Sequence, residues 1–122
     1  MKKIPTSLDE SVSILSEMFS EKDRECFKKA KDLCIYHHTL GRRIRNEWKL
    51  WEKGSVLLKW FEKKGLAHPD DISSVILDAT QASMNEQEFD LDMEIGIYKQ
   101  YWANVDQGEA NSFHIKISKN SP

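Results

Sequence analysis

Leu33 to Trp51, LCIYHHTLGRRIRNEWKLW, decides the fold, because periodicity, charge and aromatic content agree there over the longest run in the chain. At about 100° per residue, Leu33, Leu40, Ile44, Trp48 and Trp51 share one helical face, while His38, Arg42, Arg45 and Lys49 lie opposite or on its flank. One side packs and the other presents charge. Between them His37, Gly41, Arg45 and Trp48 form a third stripe, polar and with a gap in its side-chain cover, and any site is expected along it. The stretch reads as one long helix, capped by Asp32, running to Trp51 or Glu52 and left through a left-handed Gly54.

On the N-terminal side, Ser7 with Glu10 three residues later is the reciprocal capping pair that opens a helix from Leu8 to Phe19. Leu8, Val12, Leu15 and Phe19 form its core stripe, widened by Ile14 and Met18. Ser20 repeats the device before Glu21 and Asp23, and Cys26, Phe27 and Ala30 give the second helix a modest buried side. On the C-terminal side, Ser55 starts a helix from Val56 to Lys64, with Val56, Leu57, Trp60 and Phe61 apolar and Gly65 past its end.

His68-Pro69-Asp70-Asp71 opens the next helix, since proline suits a first turn and carboxylates suit the positive end of the helix dipole. Ile72, Val75, Ile76 and Ala79 carry it to about Ser83. Leu91, Ile95, Tyr98 and Trp102 line a last helix, weakened in its middle by Gly96. Phe113, Ile115 and Ile117 then alternate with His114 and Lys116 in the two-residue period of a strand. The expected architecture is all-α, a compact bundle of five or six helices around the long central one, with an irregular or short β-strand C-terminal tail.

At 122 residues the chain has the length of one domain, and its 39% hydrophobic and 31% charged content is the balance of a soluble globular protein. A formal net charge of -2 gives no overall attraction to nucleic acid. Cys26 and Cys34 supply neither a disulfide framework nor a zinc site, and read as buried thiols in a reducing compartment. No apolar run follows Lys2 and Lys3, and nowhere do about 18 apolar residues come in succession, so no leader or membrane span is expected and the location expected is cytoplasmic.

His37, Leu40-Gly41, Ile44-Arg45-Asn46, Trp48 and Leu50-Trp51, followed by His68-Pro69-Asp70-Asp71-Ile72-Ser73, resemble the signature of a small uncharacterised bacterial domain. Its members also begin with a proline and a capped helix like Ile4 to Leu15. The resemblance covers Ile4 to Ala82 and joins two separated motifs in the right order, which makes it specific. It implies a compact helical domain and attaches no activity, substrate or cofactor. Residues 86–122 form an addition of this chain, and His38 and Arg42-Arg43 stand where the pattern has more apolar or small residues.

Arg45 has carboxylates to meet in Asp70 and Asp71, and a planar bidentate pair would pin the helix after Pro69 to the central one, with Gly41 as the point of close approach. The same region admits a ligand reading, in which His37, Arg45, Asn46 and His68 converge on a nucleotide-like anion and Trp48 stacks on its ring. A hydrolase reading gives acid-base work to His68 and Asp70 or Asp71. Adjacent carboxylates diverge by about 100° on a helix, however, and the chain has no nucleophile motif, phosphate loop or HExxH. No metal or cofactor is expected from four histidines at these spacings.

His38, Arg42, Arg45 and Lys49, with Arg43 to one side, have the charge to track a phosphate backbone, but Glu47 and Glu52 alternate with them as on a solvated face. Tryptophan and arginine are also the residues that dominate protein interfaces. The expected function is therefore non-enzymatic, stoichiometric binding of a partner macromolecule, a protein before a nucleic acid, in the manner of an inhibitor, immunity or anti-defence factor. The expected binding residues are His37, His38, Arg42, Arg45, Asn46, Trp48, Lys49, His68, Asp70 and Asp71. The nucleotide-like ligand ranks second and the hydrolase third.

Overall fold

Side-chain caps set where the helices begin. The computed structural model describes residues 3–106, in which the regular elements are α1 (Leu8–Met18), α2 (Glu21–Lys29), α3 (Cys34–His38), α4 (Leu40–Glu47), α5 (Val56–Lys64), α6 (Pro69–Met84) and α7 (Leu91–Asp106). Ser7 Oγ accepts from the Glu10 N–H at 3.3 Å, Ser20 Oγ from Asp23 at 3.1 Å and Ser55 Oγ from Leu58 at 3.2 Å, as the sequence predicts. Glu10 returns its carboxylate to the N–H of Thr6 at 3.1 Å. At α6 the cap is His68, whose Nδ1 accepts from the Asp70 N–H at 3.1 Å, and Pro69 fills a first-turn position where its missing N–H leaves nothing unpaired.

The long central helix expected from the sequence is instead two helices and a turn, which brings the described helices to seven. Asp32 does cap the start, its Oδ1 accepting from the Cys34 N–H at 2.8 Å. Thr39 then separates α3 from α4 with φ -103° and ψ -78°, and its hydroxyl donates to the Ile35 carbonyl at 2.8 Å. Such back-bonding by a β-branched hydroxyl residue competes with the helical ladder. At the other end α4 stops at Glu47, because Lys49 takes a left-handed φ of 57° and the Leu50 N–H reaches back to the Arg45 carbonyl at 3.0 Å. This is the closing bond of a Schellman turn, so Lys49 and not Gly54 is the left-handed exit. The register shifts with it. Leu50 is fully buried, whereas Trp51, expected in the core, is 58% exposed.

The centre of the fold is α6. Ile72, Ser73, Val75, Ile76, Leu77, Ala79, Thr80 and Met84 are buried, and at 100° per residue they span about 200° of the helix. A helix covered so far around must be surrounded, and α1, α2, α3, α4 and α7 all pack against it. Leu15, Phe27, Ile44, Trp48, Leu57 and Phe61 complete the enclosed core, each removing enough apolar surface from water to stabilise the fold by roughly 2 kcal/mol or more. The far end of α6 also holds α2. Gln81 Nε2 donates to the carbonyls of Phe27 and Ala30 at 3.0 and 2.7 Å, and Asn85 Nδ2 to that of Lys28 at 3.0 Å. These are carbonyls that a helix end leaves open.

Two smaller expectations are corrected. Cys26 and Cys34 are exposed, not buried, because each falls on the outer side of a short helix. Val56 is exposed while Leu58 is buried, since α5 begins at Val56 and turns its next residues inward. Phe113 to Ile117, expected as a strand or tail, lie outside the described residues. No helix among the described residues is long and apolar enough to cross a membrane.

The left-handed Lys49 carries a testable cost. A Cβ in that conformation is crowded by the following carbonyl, a penalty glycine escapes. Lys49→Gly is expected to raise stability by about 1 kcal/mol in urea denaturation, while Gly54→Ala, at a position without positive φ and with open space around it, leaves stability within about 0.5 kcal/mol.

Candidate functional site

Arg45 leaves α4 toward the first turns of α6. Its Nη1 donates to Ser73 Oγ at 2.8 Å and its Nε lies 3.2 Å from Asp70 Oδ1, with the guanidinium side chain only 14% exposed. Ser73 in turn donates to the Asp70 carbonyl at 3.0 Å. Gly41 makes room for this arrangement, since a Cβ there would lie 3.1 Å from Arg45 Nη1. From α3, His37 places Nδ1 3.3 Å from Ser74 Oγ, and the Ser74 hydroxyl donates to the Asp70 carbonyl at 2.9 Å. The Ser74 oxygen is then left to accept, which selects the His37 tautomer with its proton on Nδ1. Burial holds the His37 pKa below its ordinary value, helped by the charges of Arg45 and His38 and opposed by Asp32. A neutral imidazole and a committed guanidinium thus tie α3 and α4 to α6.

Asp71, one residue further along α6, serves a different place. Its Oδ2 accepts from Trp102 Nε1 of α7 at 2.8 Å. Burial raises the Asp71 pKa, against the Trp102 bond and the nearby His68. Trp102 stacks on the His68 ring with centroids 5.4 Å apart and planes 23° from parallel, and Trp51 meets the same imidazole edge-on at 6.3 Å. Together with Leu66, Pro69 and Lys99 these rings line a cleft of about 660 Å³. Lys99 lies so low over Gly65, whose φ is 100°, that a Cβ there would collide with it. A wider groove of about 890 Å³ runs past Val12, Trp60 and Phe89. Its cations are engaged, Arg24 donating to the Ser16 carbonyl at 3.1 Å and Lys64 lying 5.2 Å from the centre of the Trp60 ring.

The residues singled out from the sequence therefore divide. His37, Arg45 and Asp70 meet in the strut, with Ser73, quoted in the second motif without a role, and Ser74 as the partners of Arg45 and His37. His68 and Asp71 belong to the cleft, with Trp51 and Trp102, both of which had been assigned to apolar stripes. His38, Arg42, Asn46 and Lys49 are exposed on the outer side. Trp48 is fully buried, so its ring faces are covered by core rather than open to a ligand. The only sequence signal for Trp102 was its place four residues after Tyr98, which reads as packing. Chemically the strut turns the Nη1 and Nε donors of Arg45 inward, whereas the cleft offers ring faces and an ammonium. Among the described residues no group of three or more His, Cys, Asp or Glu is placed to hold a metal ion.

Two substitutions test the strut. Arg45→Ala is expected to lower stability by about 2 kcal/mol in urea denaturation, mostly through the Ser73 bond, because Asp70 is largely solvated. Gly41→Ala pushes on the guanidinium in the native background and destabilises, whereas in the Arg45→Ala background it is expected to stabilise by about 1 kcal/mol, as alanine does in an unobstructed helix. Equal effects in both backgrounds would show that Gly41 does not serve Arg45.

One family model, described as a domain of unknown function (DUF6794), matches residues 4–84. No curated protein and no solved structure matches the chain. The matched span takes in α1 to α6, including the strut and the His68-Asp71 side of the cleft, and leaves α7 with Trp102 outside it. With more than half of the sequence inside that span, the chain belongs to the DUF6794 family of domains of unknown function.

Proposed function

We propose that this chain is a non-enzymatic binding protein that acts stoichiometrically on a partner protein, and that the cleft between Trp51 and Trp102 is where the partner docks. The supporting observation is the presence of two tryptophans at the surface, Trp51 58% and Trp102 38% exposed, set around one imidazole. Exposed tryptophan is expensive to leave in water and is the residue type that most often anchors an interface. Trp102 is held beforehand by its bond to Asp71 and its stack on His68, so little ordering entropy opposes binding.

The outer side of α3 and α4, where His38, Arg42 and Lys49 are exposed, is a separate polar surface whose Arg42 and Lys49 charges favour steering over tight contact. This is the mode of action of an inhibitor, immunity or anti-defence factor, working in the cytoplasm of a bacterial or phage-infected cell.

Affinity purification from the native host tests the proposal. The native chain is expected to retain one protein at a fixed ratio, and Trp51→Ala, a surface change that leaves the fold intact, is expected to weaken that complex by about 30-fold, a hot-spot effect near 2 kcal/mol. A native chain that retains no protein and copurifies with a nucleotide overturns the reading.

A further inference from the structure

A partner that covers the cleft between Trp51 and Trp102 also covers Lys99. Lysine ordinarily lays its stem on apolar surface and lifts its ammonium into water. Here the gap at Gly65 draws the side chain down, since Cε and Nζ of Lys99 lie where a Cβ on that residue would be. The ammonium therefore belongs to the lining of the cleft, with Leu66, Pro69 and the two tryptophans. Among the described residues no hydrogen bond or ion pair reaches it, not even from Asp71, the one carboxylate of the lining, whose Oδ2 accepts from Trp102 Nε1. The carbonyls of Phe61 and Glu62 at the end of α5 accept instead from the N–H groups of Leu66 and Gly65. His68 adds a second open donor. Because its Nδ1 accepts from the Asp70 N–H, the ring proton is on Nε2, which has no acceptor among the described residues.

We propose that the partner enters this cleft with an acidic segment, in which an Asp or Glu side chain meets Lys99 while a large apolar neighbour packs against Trp51 and Trp102. The assignment deepens the docking reading given above and rests on it. Taking an ammonium out of water without a counter-ion opposes binding, whereas an occupant that brings a carboxylate turns the same group into a charge-assisted hydrogen bond. An occupant that is only apolar, or basic, leaves Lys99 covered and unmatched, so the residue that selects the acid also rejects the alternatives. A side-chain carboxylate fits better than a chain terminus. Termini are captured by nests of backbone N–H groups, and those of Gly65 and Leu66 are spent on closing α5. A nucleotide base fits less well, because one face of Trp102 is already stacked on His68 and Trp51 stands at 76° to that imidazole, which leaves no parallel slot between the rings.

Selection of a random-peptide display library on the full chain tests this, with the peptides fused through their C-termini so that no free terminal carboxylate is offered. The enriched peptides are expected to carry Asp or Glu beside Phe, Leu or Trp, and to bind the Trp51→Ala chain about 30-fold more weakly. Lys99→Met keeps the stem over Gly65 and removes the charge. It is expected to weaken these peptides by about tenfold and to erase the difference between each peptide and its counterpart with Asn for Asp or Gln for Glu. Peptides that need Trp51 but show no acidic preference, or that keep the preference on the Lys99→Met chain, overturn the acidic assignment and leave the docking reading standing. Peptides that bind the native and Trp51→Ala chains alike overturn both. A selection that enriches no peptide also overturns the assignment, in favour of a nucleotide if AMP then quenches the tryptophan fluorescence of the native chain.

Discussion

Burial of α6 over more than half its circumference is the constraint from which the other contacts follow. A 16-residue helix with Ile72, Val75, Ile76, Leu77 and Ala79 all enclosed cannot be served by a single neighbour. Helices α1, α2, α3, α4 and α7 are arranged about it, and all of these but α1 are then fixed by a polar contact suited to where they meet α6. α3 and α4 are fixed at its first turns by His37 and Arg45, α2 at its last turn by Gln81 and Asn85, and α7 by Asp71. Packing determines that these elements meet, and the hydrogen bonds determine in which register.

That division of labour explains why the polar residues of the two motifs do not form one site. Arg45 carries the charge and shape for an anion, but it is spent on Ser73 and Asp70, where its planar fork spans a hydroxyl and a carboxylate that a lysine would not reach together. Asp71, turned by one residue, projects toward α7 instead. The family match ends at residue 84, so the strut lies wholly in the shared domain, while the cleft is made jointly by that domain and by the segment that follows it. The cleft thus joins a half that the family model covers to a half that lies beyond it.

The sequence made the helix starts legible, because Ser7, Ser20, Ser55 and Pro69 act through local geometry that needs no partner. It made the Arg45–Asp70 pairing legible as one of two readings. The break at Thr39 was hidden, since a hydroxyl back-bond and an ordinary helical threonine share one sequence. So was the turn at Lys49, a residue type that gives no sign of a left-handed conformation, and missing it misassigned Trp51 and Leu50 together. Leu77 and Thr80 lie off the stripe that periodicity picks out in α6, so the encircled helix read as a one-sided one and the centre was sought in the wrong place.

The side-chain amides at the end of α6 bear on where this domain stops. Asn85 stands just past the last matched residue, yet it holds the Lys28 carbonyl of a helix near the beginning of the chain. A fragment trimmed at residue 84 would lose that clasp on the end of α2. The working boundary of the fold is therefore drawn by hydrogen bonding, at least one residue beyond where similarity in sequence fades.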